Sequence, residues 1–178
     1  MKLLLGILIL FFWLQYASTH LIFVVTWPPE LAYSYTIEPS FDVGIPFSEY
    51  PMEGLKMIYS NPPEACSPLV TGASGSVILI ERGSCTFSEK IHNAERAGAI
   101  AVIMTQSEAD DDQSSIYMAK DDDIEKANIP AAFLYGSSGR RFRSHFTRYD
   151  GPIIVSLPIN VSKNEFLWLP GRPPWEIW

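Results

Sequence analysis

Ser84 and Cys85 stand side by side after a glycine turn, and His92 follows on the next segment, so nucleophilic chemistry is the first to test. Such chemistry needs a Ser or Cys within reach of a His and an acid that orients it. Ser84, His92 and several Asp residues supply the types, but no G-x-S-x-G elbow surrounds a serine. Gly72-Ala73-Ser74-Gly75 has the wrong spacing. His92 falls mid-helix and reads as a surface or boundary histidine. His20 and His145 lie on other segments. Three scattered histidines without a His-Glu-x-x-His helix or a C-x-x-C pair argue against a metal-dependent hydrolase. Asp110-Asp111-Asp112 and Asp121-Asp122-Asp123 raise calcium, which takes oxygen ligands. The spacing lacks the glycine and the twelfth-position Glu of an EF-hand, so a solvated, mobile insertion is the favoured reading. Gly136-Ser137-Ser138-Gly139 precedes a helix but carries no Walker lysine. Arg82 reads as a strand-end charge paired with a carboxylate or carbonyl. The expectation is therefore no catalytic residue, no metal and no cofactor.

Cys66 and Cys85 are the only cysteines, and what they do depends on the compartment. Lys2, the apolar run Leu3 to Leu14, and small or polar residues to Thr19 have the form of a secretory leader. Cleavage would leave residues 20–178. An uncleaved anchor is the alternative, because Leu21-Ile22-Phe23-Val24-Val25 restarts the apolar run, but Gln15, Ser18, Thr19 and His20 interrupt it. Behind a leader, a Cys66–Cys85 disulfide is the default, with two buried free thiols the alternative. Asn160-Val161-Ser162 is the one N-glycosylation sequon and points to the same compartment. Without Lys2 the chain has twelve basic and twenty acidic residues, a net charge near −8. That balance disfavours nucleic acid and anionic membrane surfaces as partners.

The elements that must position these residues are legible from periodicity. Val77-Ile78-Leu79-Ile80 is a continuous apolar run, the mark of a strand covered on both faces. Thr86-x-x-Glu89 forms a capping box for a helix that ends at Gly98. Phe87, Ile91, Ala94 and Ala97 give that helix one apolar face, with Glu89, Lys90, Asn93, Glu95 and Arg96 opposite. Ile100 to Met104 returns as a second strand, which predicts a parallel βαβ crossover. Residues 20–61 are broken by prolines, with strand composition at Tyr33–Ile37 and Leu55–Tyr59. Ala131 to Tyr135 and Ile153 to Leu157 are further strands. Between them lies a basic helix with Phe142, Phe146 and Tyr149 inward and Arg140, Arg141, Arg143 and Arg148 outward. Trp168, Trp175 and Trp178 in the proline-rich tail must pack on the domain or form an exposed surface.

Several of these pieces, in this order, resemble the protease-associated (PA) domain. They are Pro62-Pro63-Glu64-Ala65-Cys66, then Val77 to Phe87 with Arg82-Gly83-Ser84-Cys85-Thr86-Phe87, then Lys90, Ala97 to Ile103, and Ile129-Pro130-Ala131-Ala132-Phe133-Leu134. The resemblance covers roughly residues 35–160, followed by a tail at 161–178. It implies an α/β, β-rich fold of the swivelling β/β/α type, a curved sheet or sandwich with small flanking helices. It also implies a non-catalytic module that contacts proteins, gates substrate access or recognises peptides and cargo. The expected protein is thus a secreted, N-glycosylated, disulfide-bonded binding domain with no membrane span after leader removal. Its partner is an unidentified protein or peptide, such as a secreted protease or cargo protein. The alternatives are a regulatory subunit or inhibitor of a secreted protease and a small hydrolase with an unrecognised site.

Overall fold

Alternate side chains of the Val77 run point to opposite sides of a sheet, and both sides are covered. Val77 and Leu79 join one buried cluster, Ile78 and Ile80 another, and all four are fully buried. A computed structural model describes residues 21–107, 116–149, 151–159 and 170–176. The leader at 1–19, Asp110-Asp111-Asp112, Asn160, Trp168 and Trp178 lie outside the described residues. The described strands are β1 (Leu21–Trp27), β2 (Ser34–Ser40), β3 (Met52–Tyr59), β4 (Val77–Glu81), β5 (Ala101–Thr105), β6 (Ala131–Leu134) and β7 (Ile153–Ile159). The described α-helices are α1 (Phe87–Arg96) and α2 (Gly136–Arg148).

The strands close into a barrel in the order β1-β2-β6-β5-β4-β3-β7, with β7 returning to β1. This replaces the expected curved sheet or sandwich, while the β-rich composition with two flanking helices stands. The closing strand is β1, whose apolar run was set beside the leader and not read as a strand. It pairs antiparallel with β2 and with β7, so no free edge remains between them. β3, β4, β5 and β6 run parallel to one another, and α1 is the crossover from β4 to β5.

One core fills the barrel, with Phe23, Tyr35, Met57, Leu79, Ile103 and Val155 among its members. Phe142 of α2 joins it, edge-on to Tyr35 at 4.9 Å and to Phe23 at 5.9 Å between ring centroids. Gly139 lets α2 come this close, because a Cβ there would stand 1.8 Å from Thr105 Oγ1. A second core lies outside the parallel strands, where Ile91 and Ala94 of α1 meet Ile80, Val102 and Met104. Ile116, Met118 and Ala127 also bury in it. The described half of the acidic segment is thus packed on the domain rather than a solvated insertion.

Two further expectations for α2 are corrected. Arg143 turns inward, only 8 % exposed, because Glu81 at the end of β4 lies 3.6 Å away. Tyr149, expected inside, is exposed at the end of the helix. The tail folds back across this region. Ser34 N–H donates to Gly171 O at 3.1 Å, and Trp175 Nε1 donates to Ser138 Oγ at 2.9 Å. The Trp175 ring packs between Tyr33 and the guanidinium of Arg141, the latter 4.0 Å from its centroid. Of the three tryptophans in question, the described one packs on the domain.

Candidate functional site: the clamped turn between β4 and α1

The parallel strands β3, β4 and β5 end on the same rim of the barrel, and there β4 must turn into α1. Gly83 and Ser84 make the turn with φ of 115° and 64°, in the left-handed region. Cys85 N–H donates back to Gly83 O at 2.8 Å. Thr86 then caps α1. Its Oγ1 accepts from Glu89 N–H at 3.3 Å, and the Glu89 carboxylate accepts from Thr86 N–H at 3.0 Å. At the far end, Gly98 N–H donates to Glu95 O at 2.9 Å and Ala99 N–H to Ala94 O at 3.1 Å. These bonds close the helix with a left-handed glycine at φ 88°.

A second segment is fastened to this turn. Cys66 is bonded to Cys85, nineteen residues away in sequence. Lys90 and Asn93, read above as part of the polar face of α1, are in fact buried against the Cys66 segment. Lys90 is fully buried, and its ammonium donates to Glu64 O and sits 3.5 Å from Cys66 Sγ. Asn93 Nδ2 donates to Ala65 O at 2.7 Å, fixing Ala65 at φ 52°. These polar side chains lie inside because backbone carbonyls that have left the sheet need donors.

Burial pushes the Lys90 ammonium down from its ordinary 10.5 to about 8, against the opposing pull of Glu64, Glu81 and Glu89. The folded value lies below the unfolded one, so between about pH 8 and pH 10 the unfolded chain binds the extra proton. Stability therefore rises with pH across that window, and the full cost of the buried charge is present below it. Above about pH 10 the sign reverses. Burial raises Tyr35 and Tyr59, so only the unfolded chain ionises there. Denaturant unfolding at stepped pH should show the rise to about pH 10, and Lys90→Met should flatten it. A flat wild-type profile would contradict this assignment.

Glu81 ties the rim to α2. It accepts a hydrogen bond from Tyr59 and faces Arg143, while the Tyr59 ring stacks on Phe146 at 5.7 Å. Outside the turn lies an open basin of about 820 Å³, lined by residues 82–87, Glu89 and Ala119 to Asp121. Asp121 N–H donates to Ser88 Oγ at 3.2 Å, which pins the far wall to α1.

The residues raised for nucleophilic chemistry are not brought together. Ser84 Oγ lies 3.4 Å from a Glu64 carboxylate oxygen, and Cys85 is in the disulfide. His92 contacts Glu125 O at 2.7 Å and Glu95 at 3.2 Å. His145 is buried on α2, 3.6 Å from Glu30. Among the described residues no group of three or more His, Cys, Asp or Glu side chains converges as a metal site would require. No helix among them is long and apolar enough to cross a membrane. Sequence reasoning missed Lys90, Asn93 and Arg143. Each is a polar residue close to an apolar face, where polarity decided its assignment; Lys90 alone carried a further signal, its place among the residues of the family resemblance.

A β-rich barrel whose parallel half carries a disulfide-clamped β4–α1 turn defines the class. The family described as the PA domain matches residues 53–142, and the chain belongs to it. A relative of nearly the same extent is a "PRADC1-like protein" of Drosophila melanogaster. It is 35% identical over 161 residues, which cover 88% of this chain and 81% of the relative. The human "E3 ubiquitin-protein ligase RNF13" is 36% identical over 118 residues, or 61% of this chain and only 30% of the ligase. Among solved structures, a zinc aminopeptidase from Bacillus subtilis matches 78% of this chain and 29% of its own. The TM-score is 0.53 at 19% identity, a likeness of fold alone.

Proposed function

We propose that this PA domain is a non-catalytic module that binds a protein or peptide at the clamped turn, in the lumen of the secretory pathway or outside the cell. The observation that carries this reading is the turn itself. Residues 82–87 are held by a capping box and by a disulfide to the Cys66 segment, which two buried side chains of α1 fasten in turn, and they open on a basin with both signs of charge. Rigidity of this kind lowers the ordering cost of binding. The three residues that would have formed a hydrolytic set are each engaged elsewhere. Relatives support the same reading, because the segment shared with the ubiquitin ligase is under a third of that protein.

Selection of a random peptide display library on the full chain should enrich a related set of peptides. Arg82→Glu and Lys120→Glu should weaken those peptides at least about tenfold while leaving the melting temperature within a few degrees. Recovery of no peptide above background, or enrichment indifferent to both substitutions, would count against the site.

The compartment is proposed on the disulfide together with the leader and the sequon at Asn160. Protein collected from culture medium should begin near His20 and lose mass with a glycosidase, and Asn160→Gln should remove that loss. Retention of Met1 to Leu14 in a membrane fraction would refute secretion.

A further inference from the structure

Disulfides of extracellular domains are commonly inert, yet one sulfur here has an unusual neighbour. A fully buried ammonium, that of Lys90, sits 3.5 Å from Cys66 Sγ. Cys85, at the other end of the bond, belongs to the wall of the basin outside the turn. The cation therefore singles out Cys66 as the sulfur better able to carry the negative charge of a leaving thiolate.

From this geometry we infer that the Cys66–Cys85 bond is a directed site of thiol–disulfide exchange with low-molecular-weight thiols of the glutathione class, with Cys85 the sulfur attacked and Cys66 the leaving group. The incoming thiol reaches the bond as its thiolate, its proton left in solvent. Its sulfur bonds to Cys85 Sγ as the Cys66–Cys85 bond breaks, and the electron pair departs on Cys66 Sγ. One disulfide is exchanged for another, so this step involves no net oxidation. The Cys66 thiolate forms beside the Lys90 ammonium, which stabilises it as a leaving group. The lowered proton affinity of Lys90 fits the same picture, because a new anion at 3.5 Å relieves an otherwise costly buried charge. A second thiol, attacking the mixed disulfide at its own class of sulfur, frees Cys85 and leaves as the oxidised dimer of the small thiol. The two electrons gained by the protein come from the two small thiols. The product has residues 62–66 detached from the turn at the sulfur, with Lys90 and Asn93 still holding the backbone carbonyls of Glu64 and Ala65.

Steric access alone predicts the opposite direction, because Cys66 is the more exposed of the two residues. The test is the position of the mixed disulfide. The folded full chain is treated with reduced glutathione, quenched with iodoacetamide and mapped by peptide mass spectrometry. The expected product carries glutathione on Cys85 and carbamidomethyl on Cys66, in roughly tenfold excess over the reverse arrangement. Lys90→Met should slow the opening about tenfold and erase the preference. Glutathione found mainly on Cys66, an even mixture, or no opening at millimolar thiol would each overturn the inference. A folded Lys90→Met variant that keeps the wild-type rate and preference would do the same. If that variant does not fold, the wild-type position of the adduct decides.

Discussion

Phe142→Ala should be the most damaging single truncation in this domain, lowering stability by about 3–5 kcal/mol. The ring is fully buried and reaches from α2 into the barrel, edge-on to both Phe23 and Tyr35. The space it leaves cannot collapse readily. Tyr35 is held by a hydrogen bond from its hydroxyl to Leu31 O at 2.8 Å and by stacking on Phe23 at 5.1 Å. α2 is also kept at a fixed distance by the contact of Gly139 with Thr105. For a domain of this size the cost corresponds to a fall in melting temperature of roughly 10 °C. Thermal unfolding of the variant checks it, and a fall below about 3 °C would show that α2 is not the plug of the barrel. Phe146→Ala is the internal comparison. That ring is half-buried, stacked on Tyr59 with His145 edge-on, so its loss should cost clearly less.

Replacing both cysteines, Cys66→Ala with Cys85→Ala, should cost about 3 kcal/mol by the chain-entropy model for a loop of this length. The loss should be uneven across the molecule. Strands β4, β5 and β6 are paired on both sides and buried on both faces, so their amides should keep their protection from hydrogen exchange in proportion to the global stability. Residues 62–72 and 82–87 should lose more, because the disulfide joins them directly, leaving Lys90, Asn93 and a few backbone hydrogen bonds such as Glu81 N–H to Pro63 O and Arg82 N–H to Thr105 O to hold them. Exchange measured by mass spectrometry on the double variant tests this. Equal loss of protection throughout would mean that the clamp serves the whole fold rather than the turn.

The legible part of the fold was the part governed by local rules. The βαβ unit announces itself because strands buried on both faces need continuous apolar runs, and because a capping box and a left-handed glycine bracket α1. The turn at Cys85 was legible for the same reason. Barrel closure was not, since it depends on β1 meeting β7 at the other end of the chain, a pairing that no local pattern encodes. The run at Leu21 was further hidden by its neighbour, because an apolar strand directly after an apolar leader looks like a continuation of it. Inside the site, Lys90, Asn93 and Arg143 were placed outward on polarity. Their partners are the carbonyls of Glu64 and Ala65 and the carboxylate of Glu81, distant in sequence. A buried polar residue is intelligible only once its partner is known. The acidic segment misled in the same manner, since Ile116 and Met118 anchor it through contacts that its run of carboxylates conceals.

The pairing of β1 with β7 also sets a timetable. During synthesis β1 is made first of the described strands and its closing partner last, about 130 residues later, an interval on the order of ten seconds at ordinary rates of translation. Throughout that interval β1 can pair with β2 but has one strand edge open, and its apolar residues Phe23 and Val25 lack the part of the core that β7 supplies. The domain must therefore wait for its final strand before the barrel exists, so a nascent chain stalled before residue 153 should remain open to chaperones and proteases that the finished protein excludes.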